Sequence, residues 1–159
     1  MIEIIKADLT NSTHENALVT LLSLYALDPM GGGEDLSDFT KENLASEILK
    51  RTDITVILAF DDEKPVGLIN CIEGFSTFAC KPLINIHDVY VSTDSRGKGV
   101  ATKLLQAAED LAIEKNCCKV TLEILEGNEP AKLAYLKFGF AGYELDPEMG
   151  KAMFWQKKL

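Results

Sequence analysis

Histidine occurs only twice in this chain, tryptophan once and cysteine four times, and the cysteine spacing removes one class of chemistry. Cys71, Cys80, Cys117 and Cys118 follow no zinc-ligand spacing, because two adjacent thiols cannot form the C-x-x-C knuckle that grips a metal. No metal is expected. The opening MIEIIKAD interleaves Glu3, Lys6 and Asp8 with apolar residues, which predicts a first strand rather than a secretion signal. A reducing cytoplasm and free, mostly buried thiols are therefore expected. No apolar run approaches a bilayer span, so no membrane partner is expected. Basic residues are outnumbered too: 16 Lys and Arg stand against 25 Asp and Glu, a formal net charge of −9. A chain of that sign repels a phosphate backbone, which argues against nucleic acid and for a cationic small molecule. There is no linker, internal repeat or low-complexity segment. Residues 1–159, 47% apolar, are read as one domain with a single core.

What the chain does have is a stretch from Ile84 to Leu111 that reads as strand, glycine-bearing turn and helix. Ile84, Ile86, Val89 and Val91 are strand formers between Pro82 and the Ser92-Thr93-Asp94-Ser95 cluster. Val100, Leu104, Leu105, Ala108, Leu111 and Ala112 then recur at helical spacing. Arg96-Gly97-Lys98-Gly99 thus falls where a helix begins. A helix N-terminus presents unpaired N–H groups and partial positive charge, and glycines let phosphate oxygens approach that backbone. The same turn also serves as a plain strand–helix connection with solvated basic residues. Neither the Walker loop nor the dinucleotide fingerprint fits the glycine spacing.

The strand itself has a parity defect. Its apolar residues fall on even positions at Ile84 and Ile86 but on odd ones at Val89 and Val91. A switch near His87-Asp88 is what one inserted residue, a β-bulge, produces; burial of both faces is the alternative.

Elsewhere, Ile2–Ala7 is predicted as a strand and Asn11–Leu27 as an amphipathic helix capped by Ser12 or Thr13, with His14 on the surface. Asp28-Pro29-Met30-Gly31-Gly32-Gly33-Glu34-Asp35 is predicted as a flexible loop, followed by a helix from about Ser37 to Arg51. Strands follow at about Ile54–Phe60 and Val66–Glu73. Phe75 and Phe78 near the next turn belong to an acceptor wall, an interface or the core. Lys119–Ile124 alternates as a strand. Asn128 is placed to cap a helix with Pro130 in its first turn, ending near Gly139. Phe140–Tyr143 and Ala152–Gln156 are predicted as two closing strands.

Two stretches carry a family likeness. Arg96-Gly97-Lys98-Gly99-Val100-Ala101 resembles the acetyl-CoA pyrophosphate loop of the GNAT N-acetyltransferase superfamily. The later Asn128-Glu129-Pro130-Ala131-Lys132-Leu133-Ala134-Tyr135-Leu136-Lys137-Phe138-Gly139-Phe140 is similar to that family's closing helix, its Asn-Glu-Pro start being similar to the diamine and polyamine branch. The resemblance implies an α/β (α+β mixed) fold: a mixed, mostly antiparallel sheet of about six to seven strands, helices on both faces and one splayed strand pair. It implies acetyl-CoA as co-substrate, a primary amine of a small, cationic molecule as acceptor, and a homodimer. Residues Arg96 to Thr102, Lys98 and Thr102 included, would hold the pyrophosphate. Val89, Tyr90 and Val91 would pair with the pantetheine arm, and Asn128 and Ala131 would contact the cofactor. In this family the connection between the first two helices borders the acceptor, which implicates Asp28, Met30, Glu34 and Asp35, with Phe75 as a further wall.

The chemistry this implies needs a base, because an ammonium of pKa near 10.4 resists deprotonation at pH 7 by roughly 4 to 5 kcal/mol. An imidazole ordinarily titrates near 6.5, so His87 is a candidate where many relatives carry glutamate; Asp88 and Glu123 are alternatives. Tyr135 is the implied donor to the departing thiolate, and the Val89 N–H the implied donor to the thioester oxygen. A protein N-terminal or lysine acetyltransferase and a non-catalytic acyl-CoA-binding module are the competing readings.

Overall fold

Strand-forming runs with period-two alternation need neighbours to complete their hydrogen bonds, and here five of them do so in one sheet. The computed structural model describes residues 1–159, in two units, Met1–Leu125 and Glu126–Leu159. The first unit holds β1 (Ile2–Lys6), α1 (Ser12–Leu27), α2 (Asp38–Leu49), β2 (Ile54–Asp61), β3 (Lys64–Ser76), β4 (Lys81–Val91), α3 (Val100–Glu114) and β5 (Val120–Leu122). The strands lie in sequence order; each of β1 to β4 runs antiparallel to the next and β5 runs parallel to β4. The mixed sheet matches the α/β class expected, with five strands in place of six to seven.

Alternation along the strands divides the core. Val56, Leu58 and Phe60 of β2, Leu68 of β3 and Tyr90 of β4 pack with Ala17, Leu18 and Leu21 of α1 and Ala45 of α2. The opposite face meets α3. A Cβ on Gly67 would stand 3.0 Å from both Leu104 Cδ1 and Val100 Cγ1, so only the absent side chain lets that helix lie so close. Val100, Leu104, Leu105, Ala108, Leu111 and Ala112, the residues at helical spacing, are all buried.

Several local expectations are corrected. Asn11, rather than Ser12 or Thr13, caps α1: its side chain accepts the Thr13 N–H at 2.8 Å. His14 is half-buried; its Nδ1 accepts the Asp8 N–H at 3.0 Å and its ring lies 6.1 Å from that of Phe60. The loop expected to be flexible opens on a local turn: the Asp28 carboxylate accepts the Met30 N–H at 2.9 Å and starts a 3₁₀ turn over Pro29–Gly31. Gly31 is obligatory there, since a Cβ would fall 1.9 Å from the Tyr25 carbonyl oxygen. Phe75 and Phe78 are exposed, which removes core packing as their role.

The second unit consists of α4 (Glu129–Phe138), a 3₁₀ turn at Pro147–Met149 and extended chain. Asn128 caps α4 by accepting the Ala131 N–H at 3.4 Å, and Gly139 closes it in the left-handed region at φ 115°. The Tyr135 ring sits edge-on to Phe140 with centroids 6.0 Å apart. The closing strands expected at Phe140–Tyr143 and Ala152–Gln156 do not form; a single antiparallel bridge joins Glu144 to Lys151. Their composition suits strands, but a strand exists only with a ladder partner, and the one bridge lies between the residues that flank these segments. No helix is long and apolar enough to cross a membrane.

Candidate active site

The parity switch in β4 is a bulge. Asn70 of β3 faces Asp88 while its neighbour Cys71 faces Ile86, so His87 is the residue left over. Ile84 and Ile86 before it, and Val89 and Val91 after it, consequently share the α3 face, while Asp88 and Tyr90 turn to the α1 side. On the other flank of β4, pairing with β5 covers only Ile84–Ile86 against Val120–Leu122. An Asn85 Nδ2 to Thr121 Oγ1 bond of 3.0 Å holds the two strands together just below the bulge. From His87 onward β5 no longer accompanies β4: the strand expected over Lys119–Ile124 ends at Leu122, and Glu123 follows it exposed. The result is a gap that opens where the bulge begins.

At the far end of β4 the chain makes a 3₁₀ turn over Thr93–Ser95 and enters α3 through Gly97 and Gly99, both left-handed at φ 76° and 79° with nothing within 4 Å of where a Cβ would be. The first bond of α3 runs from the Lys103 N–H to the Gly99 carbonyl at 3.1 Å. The N–H groups of Val100, Ala101 and Thr102 therefore have no intrahelical acceptor. No side chain caps them and no acidic residue occupies the first turn. Lys98 and Lys103 are exposed beside them, while Val100 points into the core. Such a mouth fits an anionic diphosphate.

Arg96 does something different from what its motif implies. Its Nε donates to the Val91 carbonyl at 3.1 Å, its Nη2 donates to Asp28 Oδ2 at 3.2 Å, and its guanidinium lies 5.9 Å from the Tyr90 ring centre. The side chain is spent on tying the glycine turn to the end of α1. Asp28, expected to meet a substrate ammonium, is the other half of that tie. Its carboxyl is held below the usual carboxylate range, first by the Met30 N–H and then by Arg96.

Between bulge and tie lies a polar corner on the α1 side. Asn70 Nδ2 donates to Asp88 Oδ2 at 2.9 Å, and His87 Nδ1 lies 3.2 Å from the same oxygen. The His87 side chain is 64% exposed and that of Asp88 18%. Tyr25, at the end of α1, lies 6.0 Å ring to ring from Tyr90. Its hydroxyl is pushed up first by burial, then by the negative charges of Asp88 and Asp28. A half-buried carboxylate, an exposed imidazole on the same oxygen and a tyrosine within their field form a corner able to bind a cation and carry a proton away.

Other sequence candidates lie apart from it. Phe75 pairs with Pro82, five residues along β3 from Asn70, or about 17 Å at the usual strand rise. Asp35 is paired with Lys41 at 2.6 Å, Glu34 is exposed, and Met30 is exposed beside the Asp28 turn. An open hollow of about 680 Å³ bounded by Glu3, Lys6, His14, Phe60 and Glu63 contains none of the site residues. Tyr135, Asn128 and Ala131 belong to the second unit described above. Asn70 and Tyr25 were not singled out from sequence. Asn70 had a signal, as the one polar residue inside Val66–Ile72; Tyr25 had none, because it fits the apolar stripe of α1.

The chain is similar to several known proteins. A streptothricin acetyltransferase from Streptomyces lavendulae is 34% identical over 84 residues, 51% of this chain and 44% of the relative. A thialysine N-epsilon-acetyltransferase from Bos taurus is 30% identical over 56 residues, 35% of this chain and 33% of the relative. The chain thus spans less than half the length of each. Among solved structures, the aminoglycoside acetyltransferase meta-AAC0020 from an uncultured soil metagenomic sample, in complex with trehalose, superposes with a TM-score of 0.79 at 19% identity, covering 99% of this chain and 97% of that one. The aminoglycoside acetyltransferase AAC(6')-Iy, in complex with a bisubstrate analog of CoA and acetylneamine, gives 0.77 at 18% identity, covering 100% and 99%. These two likenesses establish the fold. With residues 18–140, from the middle of α1 to the end of the α4 motif, matching the acetyltransferase (GNAT) family, the chain belongs to that family.

Proposed function

We propose that this protein is an acetyl-CoA-dependent N-acetyltransferase that acylates a primary amine of a small cationic molecule by direct attack within a ternary complex. The observation that carries this reading is the row of N–H groups without intrahelical acceptors at the mouth of α3, which the chain reaches from the end of the strand that holds the bulge and gap, β4. Acetyl-CoA, when bound, supplies the activated acetyl group. The amides of Val100, Ala101 and Thr102, with those of Gly97, Lys98 and Gly99, are the groups that hold its diphosphate, and Lys98 and Lys103 add charge. The chain's acidity does not oppose this, because those two cations are concentrated at the binding end. Val89, Tyr90 and Val91 offer strand-like backbone bonds to the pantetheine arm, and the Val89 N–H is the donor to the thioester oxygen.

On the acceptor side, Asp88 attracts the ammonium and takes its proton through the oxygen that His87 and Asn70 leave open, and exposed His87 passes protons to solvent. This relay offsets part of the roughly 4 to 5 kcal/mol that separates an ammonium from its free amine at pH 7. Tyr135 is the proton donor to the departing thiolate, and Asn128 and Ala131 contact the cofactor. These assignments rest on the family pattern. Relatives named for streptothricin and thialysine acetylation support a small polar amine as acceptor. A homodimer in the cytoplasm completes the reading; the exposed aromatic side chains of Phe154 and Trp155 support the dimer.

The test is a thiol-release assay with acetyl-CoA against a panel of polyamines, aminoglycosides and amino acids. Release that requires an amine and falls by an order of magnitude or more in Asp88→Asn and Tyr135→Phe is expected. CoA binding without release across the panel would leave a cofactor-binding module instead.

A further inference from the structure

Asn70 is the only residue of β3 between Val66 and Ile72 with a polar side chain longer than a thiol, and it is 7% exposed. An apolar residue would fill that place without any hydrogen-bonding demand. Its amide is only half satisfied. Nδ2 donates to Asp88 Oδ2, but Oδ1 is buried and has no partner. Turning the amide over would set Oδ1 against the carboxylate, so the orientation is fixed by Asp88, and the stranded oxygen is its consequence.

The effect falls on the geometry of Asp88. His87 Nδ1 and Asn70 Nδ2 both meet Oδ2, at 3.2 and 2.9 Å. Both bonds fall on Oδ2, and the Asp88 side chain keeps 18% of its surface exposed. The carboxylate is thus held from one side and presented by the other. It is faced by His87 on its own strand, Asn70 on β3 and Tyr25 on α1, with the Asp28–Arg96 pair behind Tyr25.

We propose that Asn70 is a positioning residue: its amide fixes the Asp88 carboxylate with Oδ1 toward the acceptor amine. This rests on the reading of Asp88 as the base. A donor to a carboxylate stabilises the charged form, so removing it raises the pH at which the base is lost. A residue kept for packing alone has no such effect.

Asn70→Leu removes both the useful donor and the stranded acceptor. In that variant the thermal midpoint should stay level or rise, kcat should fall at least tenfold, KM for acetyl-CoA should stay within twofold, and the acid limb of kcat against pH should move up. Asn70→Asp, which sets a second carboxylate against the first, should move that limb further. A Leu variant with native kcat and native acid limb overturns the proposal, as does a kcat loss that merely tracks a lowered midpoint. A readout independent of turnover and of folding variants is nitrogen-resolved NMR of the native protein: the Asn70 side-chain amide protons should titrate with Asp88, and the titration should vanish in Asp88→Asn. Amide signals that stay flat through the carboxylate range overturn the proposal even where turnover is normal. Coupled signals in a protein that acetylates no amine would uphold the pairing and sink only the assigned reaction.

Discussion

The seat of α3 on the sheet is the mechanical basis of the binding mouth, and Gly67→Ala perturbs it directly. A methyl there would stand 3.0 Å from Leu104 Cδ1, 3.0 Å from Val100 Cγ1 and 3.3 Å from Ala59 Cβ. Carbon atoms rest about 3.5–4.0 Å apart, so the neighbours must give by a few tenths of an ångström. None of the three neighbours has room to swing aside, since Leu104 and Ala59 are fully buried and Val100 nearly so. Overpacking of this kind costs about 1–3 kcal/mol, of which alanine's advantage over glycine in backbone entropy offsets roughly 0.5–1. The net cost of up to about 2.5 kcal/mol should lower the thermal midpoint by up to about 10 °C, at roughly 2–4 °C per kcal/mol for a domain of this size. Val100 is the first residue of α3, so its displacement also moves the amides that follow it. A loss near 1 kcal/mol in those bonds weakens CoA about fivefold. Val100→Ala in the same chain removes the closest flexible clash, and a double-mutant cycle should return a favourable coupling of about 1 kcal/mol. Thermal unfolding and calorimetry read both quantities. A Gly67→Ala protein with native midpoint and native CoA affinity, or strictly additive double-mutant energies, would refute the reasoning.

Other perturbations separate the parts of the site. Gly99→Asp should fold, because nothing lies within 4 Å of the new Cβ and aspartate tolerates the left-handed region. It should nevertheless weaken CoA at least about 100-fold by calorimetry, by placing a carboxylate at the diphosphate mouth, whereas neutral Gly99→Asn loses far less. Asp28→Ala removes the Met30 cap and the Arg96 pair, and should lower stability at pH 7 by about 1 kcal/mol or somewhat more in urea titrations. The native carboxyl is depressed in the folded state, so its contribution is present above the ordinary value near 3.9 and lost as pH falls through the folded one. The gap between native and variant should therefore close on acidification. Thiol labelling of the folded protein should modify Cys80 and Cys118 quickly. Cys71, buried and with its thiol pushed up to about 12, should react only on unfolding.

Much of this arrangement was legible in the sequence where the cause is local. The bulge announced itself because one inserted residue must switch the parity of Val89 and Val91 relative to Ile84 and Ile86, and His87 proves to be that residue. The helix start at Val100 was legible from spacing and glycines. What escaped was set by tertiary partners. Asn11, Ser12 and Thr13 are all competent caps, and only the approach of the chain selects Asn11. The apolar run Ala152–Trp155 has strand composition but no ladder to join. Arg96 carries the charge its motif asks for, yet Asp28, 68 residues away in sequence, claims its guanidinium. Asn70 looked like an interruption in a strand because its meaning lies across the sheet, on Asp88.

The most direct test is calorimetric titration of the purified protein with CoA, with ADP and with adenosine. If main-chain amides at the start of α3 grip a diphosphate, CoA should bind with a Kd below roughly 100 µM, ADP more weakly but measurably, and adenosine not at all. Absence of heat with CoA at millimolar concentration, or adenosine binding as well as ADP, would contradict it.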